Sequence, residues 1–388
     1  MAVRSSLARQ EARRVLIVQR RLTHYRVPFF ERLRGEMKRR GVELVLAHGD
    51  PTTTEASKRD EGELPWAYRL GTRYLLGGRV CWQPFSSLAQ NSDLVILTHE
   101  NKLLCNLWAQ YRLAGPRVAL WGHGANLQGS STSWRERFKR RTALQADWWF
   151  GYTELSRALI LGNGFPAGRI TVVDNAIDTL TLRKQCEAVL PEQLSAWRRQ
   201  LGSAGNRIGV FLGSLYGEKR IDFLLDAASK IRARVPDFEL VIVGTGPESG
   251  KVEAFCATNA WARYLGPLIG EQKAQVLALA HVMLNPGLVG LGILDSFVCQ
   301  VPLVTTDCGL HSPEIAYLEN GRNGAMTRDV MAEYVDVVVS LLVDGEYRAQ
   351  LVAGCAASAS RYTIDNMAHR FADGIMECLA RPVHRSVS

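Results

Sequence analysis

The residues of this 388-residue chain best placed for chemistry lie in its second half. Lys219 closes the turn Gly213-Ser-Leu-Tyr-Gly-Glu-Lys219, between an apolar strand pattern at Ile208–Leu212 and a helical stripe that starts at Ile221. A strand, a turn of small residues and a helix start bring backbone N–H groups and one ammonium together, an arrangement that suits a phosphate. The turn is not a Walker A loop, because GxxxxGK[ST] is absent. A solvated turn lysine is the plainer alternative. A second glycine loop, Pro286-Gly-Leu-Val-Gly-Leu-Gly-Ile-Leu-Asp295, also runs into a helix. Gly290 and Gly292 keep that loop able to present N–H groups to an anion, and Asp295 sits where a helix dipole alone would favour an acid. Glu314 follows Gly309 and Pro313 in a loop, either lining a cleft or solvated. His123 stands between two glycines in Trp121-Gly-His-Gly124, at a strand end poorly suited to a core histidine. Arg20, Arg21, His24, Tyr25 and Arg26 crowd the segment after the first strand. Loops at the carboxyl ends of strands hold ligands in open α/β sheets. A basic surface loop is the competing reading there.

The elements that position these residues alternate strand and helix. Apolar runs at Val15–Val18, Val42–Ala47, Leu94–Thr98, Val118–Trp121, Trp148–Tyr152 and Ile170–Val173 predict strands in the first half. Ile208–Leu212, Leu240–Val243, Val282–Leu284 and Leu303–Thr305 predict them in the second. Amphipathic patterns at Pro28–Arg40, Lys102–Leu113 and Ile221–Val235 predict helices between them, and Met367, Phe371 and Ile375 predict one over Thr363–Leu379. Such alternation argues for parallel sheets covered by helices on both faces. The expected fold class is α/β, with two Rossmann-like, doubly wound parallel-sheet domains. The charged stretch Arg183–Gln200 and the break Gly202-Ser-Ala-Gly-Asn206 separate them. The expected division is 1–181, a linker at 182–206, a second domain at 207–362 and a C-terminal helix from 363 to 388.

Bulk properties narrow the classes. Hydrophobic content of 47% and charged content of 22% are ordinary for a globular protein. No run of about 18 apolar residues predicts a spanning helix, and Met1–Arg14 lacks the apolar core of a secretory signal. The eight cysteines show no zinc-like spacing and no CxxC; reduced thiols in the cytoplasm are the simplest reading. No DxD or paired His/Asp motif predicts a metal. The net charge of +9 is uneven: Met1–Lys184 carries 29 Lys/Arg against 16 Asp/Glu, and the remainder 18 against 22. A basic half suits an anionic partner. Trp134 and Phe138 among Arg135, Arg137, Lys139, Arg140 and Arg141, capped by Ser133 and Glu136, form a basic amphipathic pattern. Such a helix gains about 1 kcal/mol per cation near an anionic bilayer, and an ordinary domain helix is the alternative. No nucleic-acid module accompanies the charge.

Taken in order, Gly213–Lys219, Val241-Ile-Val-Gly-Thr-Gly-Pro247, Tyr264-Leu-Gly-Pro267, Pro286–Asp295 and Glu314 with Asn320-Gly-Arg-Asn-Gly324 resemble the nucleotide-sugar half of retaining GT-B glycosyltransferases of family 4, the glycosyl transferases group 1. The resemblance implies two domains facing a cleft, the donor in the second and the acceptor in the first. It implies that Lys219 neutralises the donor diphosphate together with loop amides at Gly213, Ser214, Val289, Gly290 and Leu291. Asp295 would hold the ribose, Glu314 would line the cleft, and His123 would face the donor sugar from the first domain. Arg20, Arg21, Tyr25 and Arg26 would lie on the acceptor side. The C-terminal helix would pack back on the first domain.

Two positions depart from the pattern. Ser214 stands where the family has an arginine, and Gly287 where it has the first of two glutamates. The implied activity is transfer of a hexose from a nucleotide-sugar to a hydroxyl with retention and without a metal or other cofactor, on a glycan or lipid-linked acceptor. Synthesis of cell-surface polysaccharide, lipopolysaccharide or glycolipid fits, at a cytoplasmic site that includes the inner membrane face. A binding protein that no longer transfers, and a nucleotide-sugar epimerase of the same architecture, remain as alternatives.

Overall fold

Runs rich in Val, Ile and Leu assemble into two parallel sheets in the computed structural model, which describes residues 12–56, 60–124, 134–200 and 207–385. The first sheet uses β1 (Arg13–Gln19), β2 (Val42–His48) and β3 (Tyr68–Arg69). A small antiparallel hairpin, β4 (Arg73–Leu75) and β5 (Val80–Trp82), follows. The sheet then continues with β6 (Leu94–Thr98), β7 (Arg117–Gly122), β8 (Trp148–Gly151) and β9 (Ile170–Val172), in the order β3-β2-β1-β6-β7-β8-β9. Val15 pairs with Leu44 on one side and Leu94 on the other, so β1 is central. Its residues Val15–Val18 are buried on both faces, which explains why they read as an unbroken apolar run.

The second sheet comprises β10 (Arg207–Leu212), β11 (Phe238–Val243), β12 (Ala262–Tyr264), β13 (Val282–Leu284), β14 (Leu303–Thr306) and β15 (Gly324–Thr327), ordered β12-β11-β10-β13-β14-β15. Every pairing in both sheets is parallel. The helical stripe expected from Ile221 forms helix Ile221–Arg234 and buries Ile221, Leu224, Leu225, Ala228 and Ile231 against this sheet. The α/β class and the paired doubly wound sheets are those expected.

The described residues divide into two units, one built from those before Asp174 together with those from Met367 onward, the other from those of Asp174–Asn366. The charged stretch read as a linker is helical where it is described: Leu180–Glu187 and Pro191–Gln200 are helices of the second unit. The Trp197 indole N–H donates to Gln275 of helix Gly270–Leu279. Gly202–Asn206 lies outside the described residues, as do Met1–Glu11 and Ser133 of the expected capping box.

The end of the chain completes the first unit. Helix Ile364–Ala380 brings Phe371 onto Phe150, with ring centroids 4.2 Å apart and nearly parallel planes. Trp121 and Phe29 close around the same ring at 5.0 and 5.5 Å. Beyond the helix, the buried Asp147 carboxylate accepts the backbone N–H groups of Val118, His384 and Arg385 and pairs with the Arg385 guanidinium at 3.2 Å. Arg385 also donates to the carbonyls of Gln110 and Pro116. A buried ion pair with this many hydrogen bonds offsets much of its desolvation.

Candidate active site

In the second sheet the connections from β10 and β13 lead in opposite directions, and an open parallel sheet has its crevice at such a reversal, beyond the carboxyl ends of the strands. The two glycine loops singled out in the sequence leave these two strands. Lys219 lies in the 3-10 turn Gly217–Lys219, only 8% exposed. Its side chain covers Gly213, where an added Cβ would stand 3.8 Å from Cε and 3.9 Å from Nζ. Nζ donates to the Leu288 carbonyl at 2.5 Å, which ties the first loop to the second. Among the described residues no carboxylate pairs with this ammonium. Burial lowers its pKa from the ordinary 10.5 to about 8.

The turn after β11 is built for contact between loops. Gly244 has a left-handed φ of 141°, and a Cβ there would lie 1.8 Å from the Gly213 carbonyl oxygen, so only glycine lets the two loops touch. Gly287, the position of the missing glutamate, is equally constrained. A Cβ on it would come within 2.3 Å of the Glu218 oxygen and 2.6 Å of the Lys219 carbonyl carbon. Leu288 N–H donates to Glu218 O at 2.8 Å across the same contact. The glycine therefore seats the second loop directly on the backbone that carries Lys219.

Other expected donor residues are engaged within the protein. The Val289 N–H, expected to face a diphosphate, donates to His311 Nδ1 at 3.1 Å, and the Val289 carbonyl accepts from Ser312. Gly290 sits beside Ser312, which a Cβ would approach to 3.5 Å at Oγ. Leu291 precedes helix Gly292–Val298. Asp295, 7% exposed in that helix, forms an ion pair with Lys273 at 2.8 Å. Glu314 is 4% exposed, so it is no solvated loop acid; Asn175 Nδ2 donates to its Oε1 at 2.6 Å. Ser214 lies in the loop after β10, between Gly213 and the buried Leu215.

In the first unit the corresponding reversal lies between β1 and β6. Arg20 is there, gripping Glu55 through two hydrogen bonds of 2.6 and 2.8 Å and lying 3.6 Å from Glu100. Burial opposes the Arg20 charge, but Glu55 and Tyr74 outweigh it and hold the guanidinium above its ordinary range. The same Arg20 hydrogen bonds hold Glu55 well below the usual carboxylate range. Arg21 makes a bidentate pair with Asp60 at 2.7 and 3.0 Å. Arg26 is buried among the rings of Trp121, Tyr25 and Tyr152, at 5.2, 5.4 and 5.7 Å, a cation–π cluster. His123 is exposed and meets the Tyr152 ring edge-on at 4.6 Å. The basic pattern near Trp134 forms helix Trp134–Ala143, with Arg140 and Arg141 exposed.

Three residues that position the site were not singled out in the sequence. His311 accepts from Val289 and donates through Nε2 to the Thr306 carbonyl at 2.7 Å, a fixed tautomer that splints the loop to the end of β14. Arg220 takes a left-handed backbone, φ 57°, and reaches Thr306 Oγ1 at 3.1 Å and Asp329. Lys273 meets Asp295. The placement of His311, three residues before Glu314 in a glycine-containing loop, is the one signal the sequence offered for it.

Residues 206–344 match the family model described as glycosyl transferases group 1. The D-inositol 3-phosphate glycosyltransferase of Nocardia farcinica is 25% identical over 344 residues, an alignment covering 84% of this chain and 69% of that protein. The phosphatidyl-myo-inositol mannosyltransferase of Mycolicibacterium smegmatis is 28% identical over 162 residues, 40% of this chain and 41% of its own length. Among solved structures, Anabaena Alr3699/HepE, crystallised with UDP and glucose, superposes with a TM-score of 0.68 at 16% identity, covering 94% of this chain and 99% of that one. The structure of WaaG, a glycosyltransferase involved in lipopolysaccharide biosynthesis, superposes with a TM-score of 0.62 at 13% identity, covering 92% and 98%. These likenesses establish the GT-B fold. No helix among the described residues is long and apolar enough to cross a membrane.

Proposed function

We propose, from a chain whose residues 206–344 match the model of the glycosyl transferases group 1, that this protein moves a hexose from a nucleotide-sugar to a hydroxyl with retention of anomeric configuration. The observation that carries the donor class is Lys219: a buried ammonium at the β10–β13 reversal, held by a carbonyl, with no carboxylate pairing it among the described residues. A diphosphate arriving there supplies the missing counter-charge, and the charge that develops on the departing phosphate is stabilised by the same group in a low-dielectric setting. Gly213, Ser214, Gly290 and Leu291 contribute backbone contacts, and Asp295 takes the ribose hydroxyls once its contact with Lys273 is shared. The departing phosphate takes the acceptor proton on the same face, so no metal or other cofactor is required.

The similarity to a D-inositol 3-phosphate glycosyltransferase and a phosphatidyl-myo-inositol mannosyltransferase favours a glycolipid or other cell-envelope acceptor. The basic first half suits a cytoplasmic enzyme that visits the inner membrane face. Retention by anionic vesicles at low salt, lost at high salt, supports this siting; failure to bind at low salt removes it.

The deciding experiment incubates the protein with UDP-, GDP- and ADP-sugars and a panel of hydroxyl acceptors. Donor-dependent glycoside of unchanged anomeric configuration, formed equally in chelator, supports the reading. Donor binding without turnover identifies a binding protein instead, and an isomerised donor identifies an epimerase.

A further inference from the structure

Cys186 lies in helix Leu180–Glu187, and Cys299 caps the carboxyl end of helix Gly292–Val298. They are 113 residues apart in sequence, yet their sulfurs stand 2.7 Å apart as free thiols. Both line an open hollow of about 490 Å³, with Arg183, Phe297 and Ser360 on its wall. Of the six other cysteines, Cys81, Cys105, Cys355 and Cys378 are buried, Cys256 is half-buried with its thiol pushed up by burial, and Cys308 has an imidazole, His311 at 3.8 Å, as its neighbour. We propose that Cys186 and Cys299 are a redox modification site, a dithiol that hydrogen peroxide converts to a disulfide.

The two sulfurs have different roles. Either thiol can donate across this contact; with the Cys299 S–H donating, the Cys186 thiolate is the one favoured and Cys299 keeps its proton. A thiolate, not a thiol, is the nucleophile toward a peroxide. Cys186 attacks one peroxide oxygen, the O–O bond breaks, and a sulfenic acid and one water form. Cys299 then attacks the Cys186 sulfur, the S–O bond breaks and the second water leaves. Two electrons pass from the thiols to the peroxide, and the thiol protons end in the waters. The new bond ties helix Leu180–Glu187 to the last turn of the helix that carries Asp295, whose carbonyl accepts the Cys299 N–H at 3.0 Å. The step from this bond to altered nucleotide-sugar affinity rests on the function proposed above.

The test treats the reduced protein with hydrogen peroxide and maps its peptides without reduction. A Cys186–Cys299 peptide, a mass loss of about 2 Da reversed by dithiothreitol, and a Cys299→Ser variant that stops at a dimedone-trappable sulfenic acid on Cys186 are the expected results. Peroxide that leaves both thiols alkylatable, or that links other cysteines first, overturns the proposal on the unmodified sequence, whatever the variants do. UDP- and GDP-sugar binding is measured on both forms alongside. A disulfide formed in a protein that binds neither keeps the dithiol and defeats the donor reading, whereas binding with both thiols unreacted does the reverse.

Discussion

The loops after β1 and β10 leave equivalent central strands in the two units, and both are rich in cations, but they treat their charge in opposite ways. After β1, Arg20 and Arg21 are each locked onto an acid of the same unit, Glu55 and Asp60, and Arg26 is absorbed among three aromatic rings. After β10, Arg220 is likewise paired with an acid, Asp329, but Lys219 is buried on a carbonyl. A cation with an acid already in place has little to gain from an arriving anion. A cation that burial has made reluctant to stay charged gains much more. Charge counted along the sequence located the basic half in the first unit, whereas the cation best prepared for a phosphate is in the other.

This contrast can be broken most directly at Lys219. Lys219→Ala is expected to lower donor-dependent transfer by about 100- to 1000-fold, read in steady-state kinetics, with little loss of thermal stability. The comparison reverses if Arg20→Ala abolishes transfer and Lys219→Ala does not. Gly287→Ala drives a Cβ into the Glu218 and Lys219 backbone and should cost about 1–3 kcal/mol in denaturant unfolding. Gly287→Glu, which restores the family's residue type, meets the same obstruction and should not raise the rate; a faster enzyme would show that the loop yields. Arg20→Ala takes two hydrogen bonds from the half-buried Glu55, which keeps Thr52 and, at 3.8 Å, Arg21, at about 1–3 kcal/mol, and removing Glu55 as well should recover part of that loss.

The subtlest test uses pH. Lys219 loses its proton near pH 8 in the folded protein, against the ordinary 10.5. Donor affinity, which needs the charge, should therefore fall as pH rises through about 8. Between pH 8 and 10.5 the unfolded chain holds a proton that the folded one has released, so this group makes stability rise with pH over the same window. Affinity and stability falling together would point to alkaline unfolding rather than to Lys219.

Much of the architecture was legible because strands buried on both faces must read as apolar runs, as Val15–Val18 and Val241–Val243 do. Tyr68–Arg69 was not, since two exposed edge residues carry no period. The helices at Leu180–Glu187 and Pro191–Gln200 were mistaken for a linker because their charge hid a narrow packing face. At the site, residue types were legible and partners were not. Nothing local says that Asp295 meets Lys273, 22 residues away, or that Val289 gives its N–H to His311. The glycines of Val241–Pro247 could be read as an ordinary turn. That Gly244 is pressed against Gly213 emerges only when two distant loops are brought together.

The closing of the first unit by residues near the end of the chain sets a schedule on the ribosome. Strands β1 to β9 emerge first, yet the Phe371 ring and the Arg385 partner of Asp147 follow only after the whole second unit has been made. At about 5–20 residues per second, that delay is roughly 10–40 s. For that interval the nascent first unit presents an open aromatic slot at Phe29, Trp121 and Phe150, while the Asp147 carboxylate has the Val118 N–H but not Arg385. Until its last helix is made, this half of the molecule carries exposed apolar surface of the kind that makes folding intermediates prone to aggregate.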